Sequence, residues 1–347
     1  MRAIARVAGD IHVPRPPVGK VKKIFEPPRC YLTKESIREK FNPNIPARFK
    51  RLFKNIPAYD KWFEDVSGTW DEVEPEPVVM KNGKMVTSTR KIKDHLKRKQ
   101  EAESREVRSL NMGYLKQFGD TVVPLERTTI DQFQRHTFER FNAPLSLLLE
   151  YMMLKGAAKQ QAPKSMLYLA QQPLGELPQQ LQDDLPQPEM LKILGKGDIY
   201  ASSLWMGGKG SKTPLHRDPN PNLLVHLCGK KIVRLVRPDI GKEMYENVKA
   251  RLGREGGSAN MRGEEMMQGE EMAALETEIW GREKKGDETI GIEVELKKGD
   301  GLYIPLGWWH AVRNTAKGPN VSVSSAVLLT EGVSADMCFL QVNWWFR

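Results

Sequence analysis

The chain has 347 residues, 39% of them hydrophobic, and carries 54 Lys+Arg against 44 Asp+Glu, a net charge of +10. The apolar share suffices for a core, and the lack of any run of roughly 18 apolar residues argues against a membrane-spanning helix. Three scattered cysteines, Cys30, Cys228 and Cys338, exclude a disulfide framework or zinc cluster and point to a reducing intracellular compartment, cytoplasmic or nuclear.

The basic excess is confined to the first third. Residues 1–110 hold 25 Lys+Arg against 15 Asp+Glu, and the remainder holds 29 of each. Val13-Pro-Arg-Pro-Pro17 and Glu26-Pro-Pro-Arg29 block helix and central strand, so an extended arm is predicted. Residues 1–25 hold one acid, Asp10, but no serine and three prolines, so a mitochondrial leader is the less favoured reading. Lys34–Phe41 reads as a short helix capped by Thr33. Residues 45–65 interleave Phe49, Phe53, Tyr59, Trp62 and Phe63 with basic side chains. That pattern suits stacking on a nucleic acid, and it suits an arm anchored by its aromatics on the following domain, the plainer reading. Residues 88–112 read as a charged, exposed helix.

Val122–Glu126 reads as a strand. Thr129, with Gln132 three residues on, has the pattern of a capped helix start. A second helix is predicted from Pro144, with Leu145, Leu148, Leu149 and Met152 on one apolar stripe. Met166–Ala170 is a predicted strand carrying Tyr168. Residues 171–190 read as a polar loop and Ile199–Trp205 as a further strand. Gly207–Lys212 is a glycine-rich loop that no helix follows, so it is not a phosphate loop. Leu223–Leu227 and Lys231–Val236 read as strands about a turn at Gly229, and Gly301–Leu306 as a strand after the turn Lys298-Gly-Asp300. Helices at 241–252 and 264–280 form an insertion over 240–286.

The chemistry is carried by Thr213-Pro-Leu-His-Arg-Asp218 and, 92 residues after Asp218, His310 of Pro305-Leu-Gly-Trp-Trp-His310. Residues i and i+2 of a strand project from the same face, so His216 and Asp218 can grip one cation and His310 can supply a third ligand. Two imidazoles and a carboxylate with open positions opposite are the facial triad of non-haem Fe(II) oxygenases. A His-x-Asp pair alone is weak, since a lone histidine is more often a surface or satisfied core residue. The flanking strands strengthen it.

Several segments in order, "ASSLWMG", "TPLHRDPNPNLLVHLCGKKIVRL", "KKGDGLYIPLGWWHAV" and "VNWWFR", resemble a JmjC domain, a double-stranded β-helix (jelly roll) of the cupin superfamily. The resemblance spans residues 199–313 most clearly and does not reach the first 110. It implies a mainly β catalytic domain over 116–347 with flanking helices, preceded by a basic, proline-rich extension over 1–115. It implies Fe(II) held by His216, Asp218 and His310, and 2-oxoglutarate as co-substrate. Lys231, 15 residues after His216, stands where the family's 2-oxoglutarate lysine stands, and a lysine in a dry barrel is a point charge for a carboxylate. Lys230 is the alternative, since alternation turns only one of the two inward. Thr213 matches the pocket hydroxyl, Asn222 a pocket amide and Tyr168 a pocket tyrosine. Asn343, in the last strand, matches a second amide. The chain departs from the family where residues 326–341 separate "NVSVSS" from "VNWWFR"; without a docked final strand, Ser322 or Ser324 takes that wall. Trp308 and Trp309 are expected to shield the barrel mouth.

Asp218 leans the reading toward the small JmjC hydroxylases of proteins and of modified tRNA, because the lysine demethylases usually carry Glu there. The expectation is an Fe(II)- and 2-oxoglutarate-dependent hydroxylase of a protein side chain. The alternatives are a modified tRNA base, which the basic arm favours, a histone methyl-lysine, and an inactive barrel tethered to RNA or a large assembly. No membrane partner is expected, and the oligomeric state is open.

Overall fold

Apolar and β-branched residues at alternate positions make strand the commonest element among the described residues. The computed structural model describes residues 24, 26, 41–65, 80–81, 84–85, 108–130, 136–154, 165–191, 199–253, 267–280, 291–315 and 319–327. Along these run β1 (Ala47–Phe49), α1 (Ala58–Lys61), β2 (Phe63–Asp65), β3 (Met80–Lys81), β4 (Lys84–Met85), β5 (Arg108–Leu110) and α2 (Met112–Leu115). Then come β6 (Val122–Ile130), β7 (His136–Pro144), α3 (Leu145–Met153), β8 (Ser165–Pro173), α4 (Gln179–Asp183) and β9 (Ile199–Gly207). The carboxyl-terminal part has β10 (Lys212–Arg217), β11 (Asn222–Cys228), β12 (Lys231–Val236), α5 (Pro238–Arg251), α6 (Gly269–Trp280), β13 (Ile292–Leu296), β14 (Gly301–Ile304), β15 (Trp309–Asn314) and β16 (Asn320–Val327).

Two sheets make the barrel. The larger has eight strands in the order β1-β14-β11-β16-β9-β8-β6-β7, and the smaller has four in the order β10-β15-β12-β13. β11 belongs to the first and β12 to the second, so the turn at Gly229 (φ 83°) crosses between sheets at one end of the barrel. Leu224, Leu302 and Ile304 of the large sheet pack against Val233, Leu235, Val294 and Leu296 of the small one. The odd residues of β11, Leu223, Val225 and Leu227, turn the other way into an outer core. β11 is therefore apolar on its outer face, and alternation leaves Asn222, Leu224 and His226 facing inward.

The aromatic segment before the barrel is an anchor. β1 pairs with β14, and Phe49, Phe53, Tyr59, Trp62 and Phe63 are buried in the same outer core as Leu145, Leu148 and Leu149 of α3. Buried rings are not available to stack on bases. Phe53 lies over Gly301, where an added Cβ would sit 2.2 Å from the ring. Buried Asp184 ties the segment down, accepting from Lys61 Nζ (2.5 Å), Trp62 Nε1 (2.8 Å) and the Tyr114 hydroxyl (2.6 Å). Asp300 does the same with Arg48 (2.7 Å) and the Arg51 amide (2.9 Å).

The two insertion helices cover the outer face of the small sheet, where Tyr245, Val248, Leu275 and Ile279 meet Leu215, Trp309 and Ala311. Gly241 lies against the Trp309 ring, an added Cβ standing 2.2 Å away. Trp280 is clamped between Arg313 at 4.1 Å and Arg234 at 4.4 Å.

Four expectations are corrected. Thr129 does not start a helix: β6 runs to Ile130 and pairs with both β7 and β8, and two ladders outweigh a single local cap. Residues 171–190 are not one loop, since they finish β8, form a 3-10 turn at Leu174–Glu176 and include α4. The charged helix over 88–112 does not reach its predicted end, because Arg108–Leu110 pairs with Phe63–Asp65. Trp308 and Trp309 do not shield the mouth: Trp309 is core beneath α5, and Trp308 donates its indole N–H to the Asn44 carbonyl at 3.2 Å. The helix at 34–41 lies outside the described residues.

Candidate metal centre

His216 is the penultimate residue of β10 and His310 the second of β15, and the two are direct partners in the β10–β15 ladder. Asp218 follows β10 by one residue. His216 Nε2 lies 3.5 Å from Asp218 Oδ1, and His310 Nε2 lies 3.5 Å from Asp218 Oδ2. A set of ligand atoms from the three residues falls within 4.8 Å of one another, and no other such cluster occurs among the described residues.

The backbone sets the tautomers. His216 Nδ1 lies 2.8 Å from the Pro214 carbonyl and His310 Nδ1 3.4 Å from the Trp308 carbonyl. A carbonyl only accepts, so each Nδ1 carries a proton, and each Nε2 is turned toward Asp218 as the nitrogen left to ligate a metal. Asn222 donates to Asp218 Oδ2 at 3.0 Å, which fixes the carboxylate as well.

Charge is shared tightly here. Burial raises the Asp218 carboxyl, but the charges and hydrogen bonds of His310, His216 and Asn222 overcome it and hold it below the usual carboxylate range. Burial pushes the His216 imidazole down, yet the hydrogen bond and charge of Asp218 win and its pKa is raised. Burial, then the charge of His216, lowers His310 to about 4. An ionised carboxylate beside two imidazoles is a donor set that attracts a divalent cation. Nitrogen and oxygen donors without a thiolate fit Fe(II), and three ligands leave coordination positions open.

A cavity of about 470 Å³ opens from the triad and takes in Thr213, Asn222, Lys231 and Tyr168. Lys231 is 2% exposed, and burial alone lowers it to about 7. Lys230 points outward, 3.7 Å from Glu295. The Lys231 ammonium is 5.9 Å from the centre of the Tyr168 ring. Burial, reinforced by Glu126, pushes the Tyr168 phenol up, while a hydrogen bond with Thr213 opposes it. Asn222 stands between roles: its Nδ2 serves Asp218, and its buried Oδ1 has no partner among the described residues. Asn343 lies outside the described residues. The place between β9 and β11 is taken by β16, whose Ser322 and Ser324 line the cavity wall.

Other lining residues were not singled out in the sequence. Trp205 donates to Ser324 Oγ at 2.8 Å. Gln171 takes φ 54°, at the break in register between Leu169 and Gln172 where β8 meets β9. This bulge turns Gln172 into the core and Gln171 toward the cavity. A bulge depends on the partner strand, so no local signal marks it.

A family profile described as "Cupin-like domain" matches residues 34–347. The chain belongs to the cupin-like JmjC family. Lysine-specific demethylase JMJ30 of Arabidopsis thaliana is 31% identical over 161 residues, 46% of this chain and 34% of that protein. Jumonji C domain-containing protein 5 of Drosophila melanogaster is 28% identical over 222 residues, 62% of this chain and 49% of that protein. JmjC domain-containing protein D of Dictyostelium discoideum is 26% identical over 220 residues, 60% and 45% respectively. The matches thus span between a third and a half of these relatives' lengths. Within this JmjC fold, the His216–Asp218–His310 cluster is where a metal would be held.

Proposed function

We propose that this JmjC protein hydroxylates a side chain of a protein substrate. The observation that carries the reading is the charge of the cavity. Its lining holds two cations, Arg140 and Lys231, against two carboxylates, Glu176 and Asp218. A nucleic acid needs its phosphates neutralised, and these walls offer no such excess. Gln171 and Asn220 add amides suited to peptide groups. A volume of about 470 Å³ has room for a small keto acid and one side chain.

When bound, iron and 2-oxoglutarate would supply, with dioxygen as the oxidant, the chemistry that replaces a substrate C–H by C–OH; one oxygen atom enters the hydroxyl, the other enters succinate, and carbon dioxide is released. The protein's own residues do the rest. His216, Asp218 and His310 hold the metal, with Asn222 and two backbone carbonyls fixing their orientation. Lys231 meets the far carboxylate of 2-oxoglutarate, and Thr213 and Tyr168 add hydroxyls beside it. The apolar contacts of the two sheets around Leu224, Val233 and Ile304 keep bulk water out.

A second reading, lysine demethylation, is favoured by the names of relatives such as lysine-specific demethylase 8 of Danio rerio, 28% identical over 157 residues. The same oxidation at an N-methyl carbon yields a carbinolamine, which collapses to amine and formaldehyde. Full-length protein with Fe(II) and 2-oxoglutarate is incubated with peptide libraries, methylated and unmethylated, and the products are read by mass spectrometry. Gain of one oxygen with succinate release supports hydroxylation. Loss of a methylene with formaldehyde overturns it in favour of demethylation, and turnover on tRNA alone overturns both.

A further inference from the structure

The cavity makes no use of the basic excess in the first third of the chain, and part of that excess is gathered at the other end of the barrel. β14 ends at Ile304, which pairs with Asn222 beside Asp218. The turn that precedes β14, Lys297-Lys-Gly-Asp300, therefore lies away from the metal centre, where the Gly299 N–H donates to the His226 carbonyl at 2.9 Å. About 13 Å of strand separates His226 from Asn222. A second turn, Lys50–Lys54, lies against the first. The Phe53 N–H donates to the Gly299 carbonyl at 3.0 Å. The buried Asp300 carboxylate accepts from the Arg51 amide (2.9 Å), the Lys297 amide (3.2 Å) and the Arg48 guanidinium (2.7 Å). A Cβ added at Gly299 (φ 81°) would stand 3.7 Å from Arg51 Cα and 3.8 Å from Lys54 Cγ. Arg51 takes φ 49°, a left-handed conformation uncommon for a side chain of its size. Lys298 Nζ is held 4.9 Å from the centre of the buried Tyr59 ring.

The two turns thus set Arg51, Lys54 and Lys298 side by side, all exposed. The nearby carboxylates are engaged elsewhere: Asp300 with Arg48, Asp65 with Arg108 at 2.8 Å, Glu295 with Lys297 at 3.8 Å and Glu26 with Lys50 at 2.5 Å. Asp60 acts on Lys298 from farther off. Among the described residues no carboxylate lies within ion-pair distance of the three. Gathering like charges costs free energy, which a bound polyanion returns. Ile24 packs at the sheet interface and Glu26 pairs with Arg48 and Lys50, so the segment that leads to them ends beside the patch. Residues 1–25 carry six Lys+Arg against one Asp. A series of cations continued along the chain matches the repeated charges of a phosphodiester backbone. The large exposed apolar side chains, Ile45, Val122, Leu147, Leu154 and Leu306, belong to other segments, so the patch has none to sink into a bilayer.

We propose that this end of the barrel is a nucleic-acid docking face, on which Arg51, Lys54 and Lys298 neutralise backbone phosphates. Phe49, Phe53 and Tyr59 form the buried side of the same segment, so base stacking plays no part. Binding is therefore indifferent to base sequence and falls steeply with salt. The mouth at the metal end stays open to a protein side chain, and the docking face stands independently of the chemistry proposed there.

The test is fluorescence anisotropy of the full chain with a labelled oligouridylate of about 20 nucleotides, over a series of NaCl concentrations. Wild type is expected to bind, its log affinity falling linearly with log salt. Each phosphate contact on a single strand contributes about 0.7 to that slope. Arg51→Gln/Lys54→Gln/Lys298→Gln should therefore make the slope shallower by about 2 and weaken binding at low salt by about tenfold or more. Lys116→Gln/Lys209→Gln/Lys242→Gln removes the same charge from exposed lysines on other segments and should leave slope and affinity near wild type. Equal slopes in the two triple variants overturn the proposal. So does a wild type that binds no oligonucleotide, or that binds phosphatidylserine vesicles in its place. If the patch variant fails to fold, Lys54→Gln alone decides: a slope shallower by about 0.7 supports the docking face, and an unchanged one overturns it. None of these outcomes bears on metal or keto acid binding, so this inference and the proposed oxygenase activity fail separately.

Discussion

The two ends of the cavity treat their polar groups in opposite ways. At the metal end each ligand is held by something else: Asn222 donates to Asp218, and the Pro214 and Trp308 carbonyls sit on the outer nitrogens of His216 and His310. At the far end Ser322 Oγ and Asn314 Oδ1 are buried without a hydrogen-bond partner among the described residues. The first end is organised around an ionised carboxylate and draws a cation. The second is organised around a lone buried ammonium and draws an anion. A molecule that chelates metal through one terminus and carries a carboxylate at the other satisfies both ends at once.

The contrast can be broken at the metal end with the largest effect. His216→Ala should weaken Mn(II) or Fe(II) binding about a hundredfold or more, read by calorimetry; undiminished metal affinity would remove the triad. Lys231→Met should leave metal affinity alone and weaken 2-oxoglutarate binding about 10- to 100-fold, the worth of a charge-assisted contact. If both affinities drop together, the two ends are not separate.

Acidity sharpens the comparison with a smaller effect. Burial lowers Lys231 to about 7 in the fold, against 10.5 for an unperturbed lysine. A carboxylate needs the charged form, so 2-oxoglutarate affinity should fall as pH rises through 7, by at most about tenfold per unit. Between those two values the unfolded chain holds the proton and the folded chain does not. The ligand-free protein should therefore gain stability as pH rises from about 7, and Lys231→Met should flatten that slope; a pH titration of the melting temperature checks it.

Asp184→Ala should have the least effect on either end. It strands the Trp62 indole and the Tyr114 hydroxyl, which donate to this carboxylate. Denaturant titration should show a loss of about 3 kcal/mol, with metal and keto acid affinities unchanged once the protein is folded. A variant that lost metal binding at full stability would show that the aromatic anchor bears on the site directly.

Much of the site could be read along the chain because strand geometry is local. The shared face of His216 and Asp218 follows from a period of two, whereas alternation left Lys230 and Lys231 open and the resemblance to the family's spacing chose Lys231. Local reasoning failed where partners decide. Thr129 has the pattern of a helix cap but sits between two ladders. Trp309, expected at the mouth, lies instead under α5, because the phase of β15 puts His310 inward and its neighbours outward.

The amino-acid sequence by itself determined the metal-ligating residue types, their strand setting and the cupin-like JmjC class, since these depend on chemistry and on spacing within a few residues. Tertiary structure alone decided that residues 47–63 are core and not a free basic arm, and that β16 fills the wall between β9 and β11. It also set His226 opposite Ser322 in the β11–β16 ladder. Those outcomes depend on barrel closure, which brings together groups far apart in the chain through pairings that no single segment encodes.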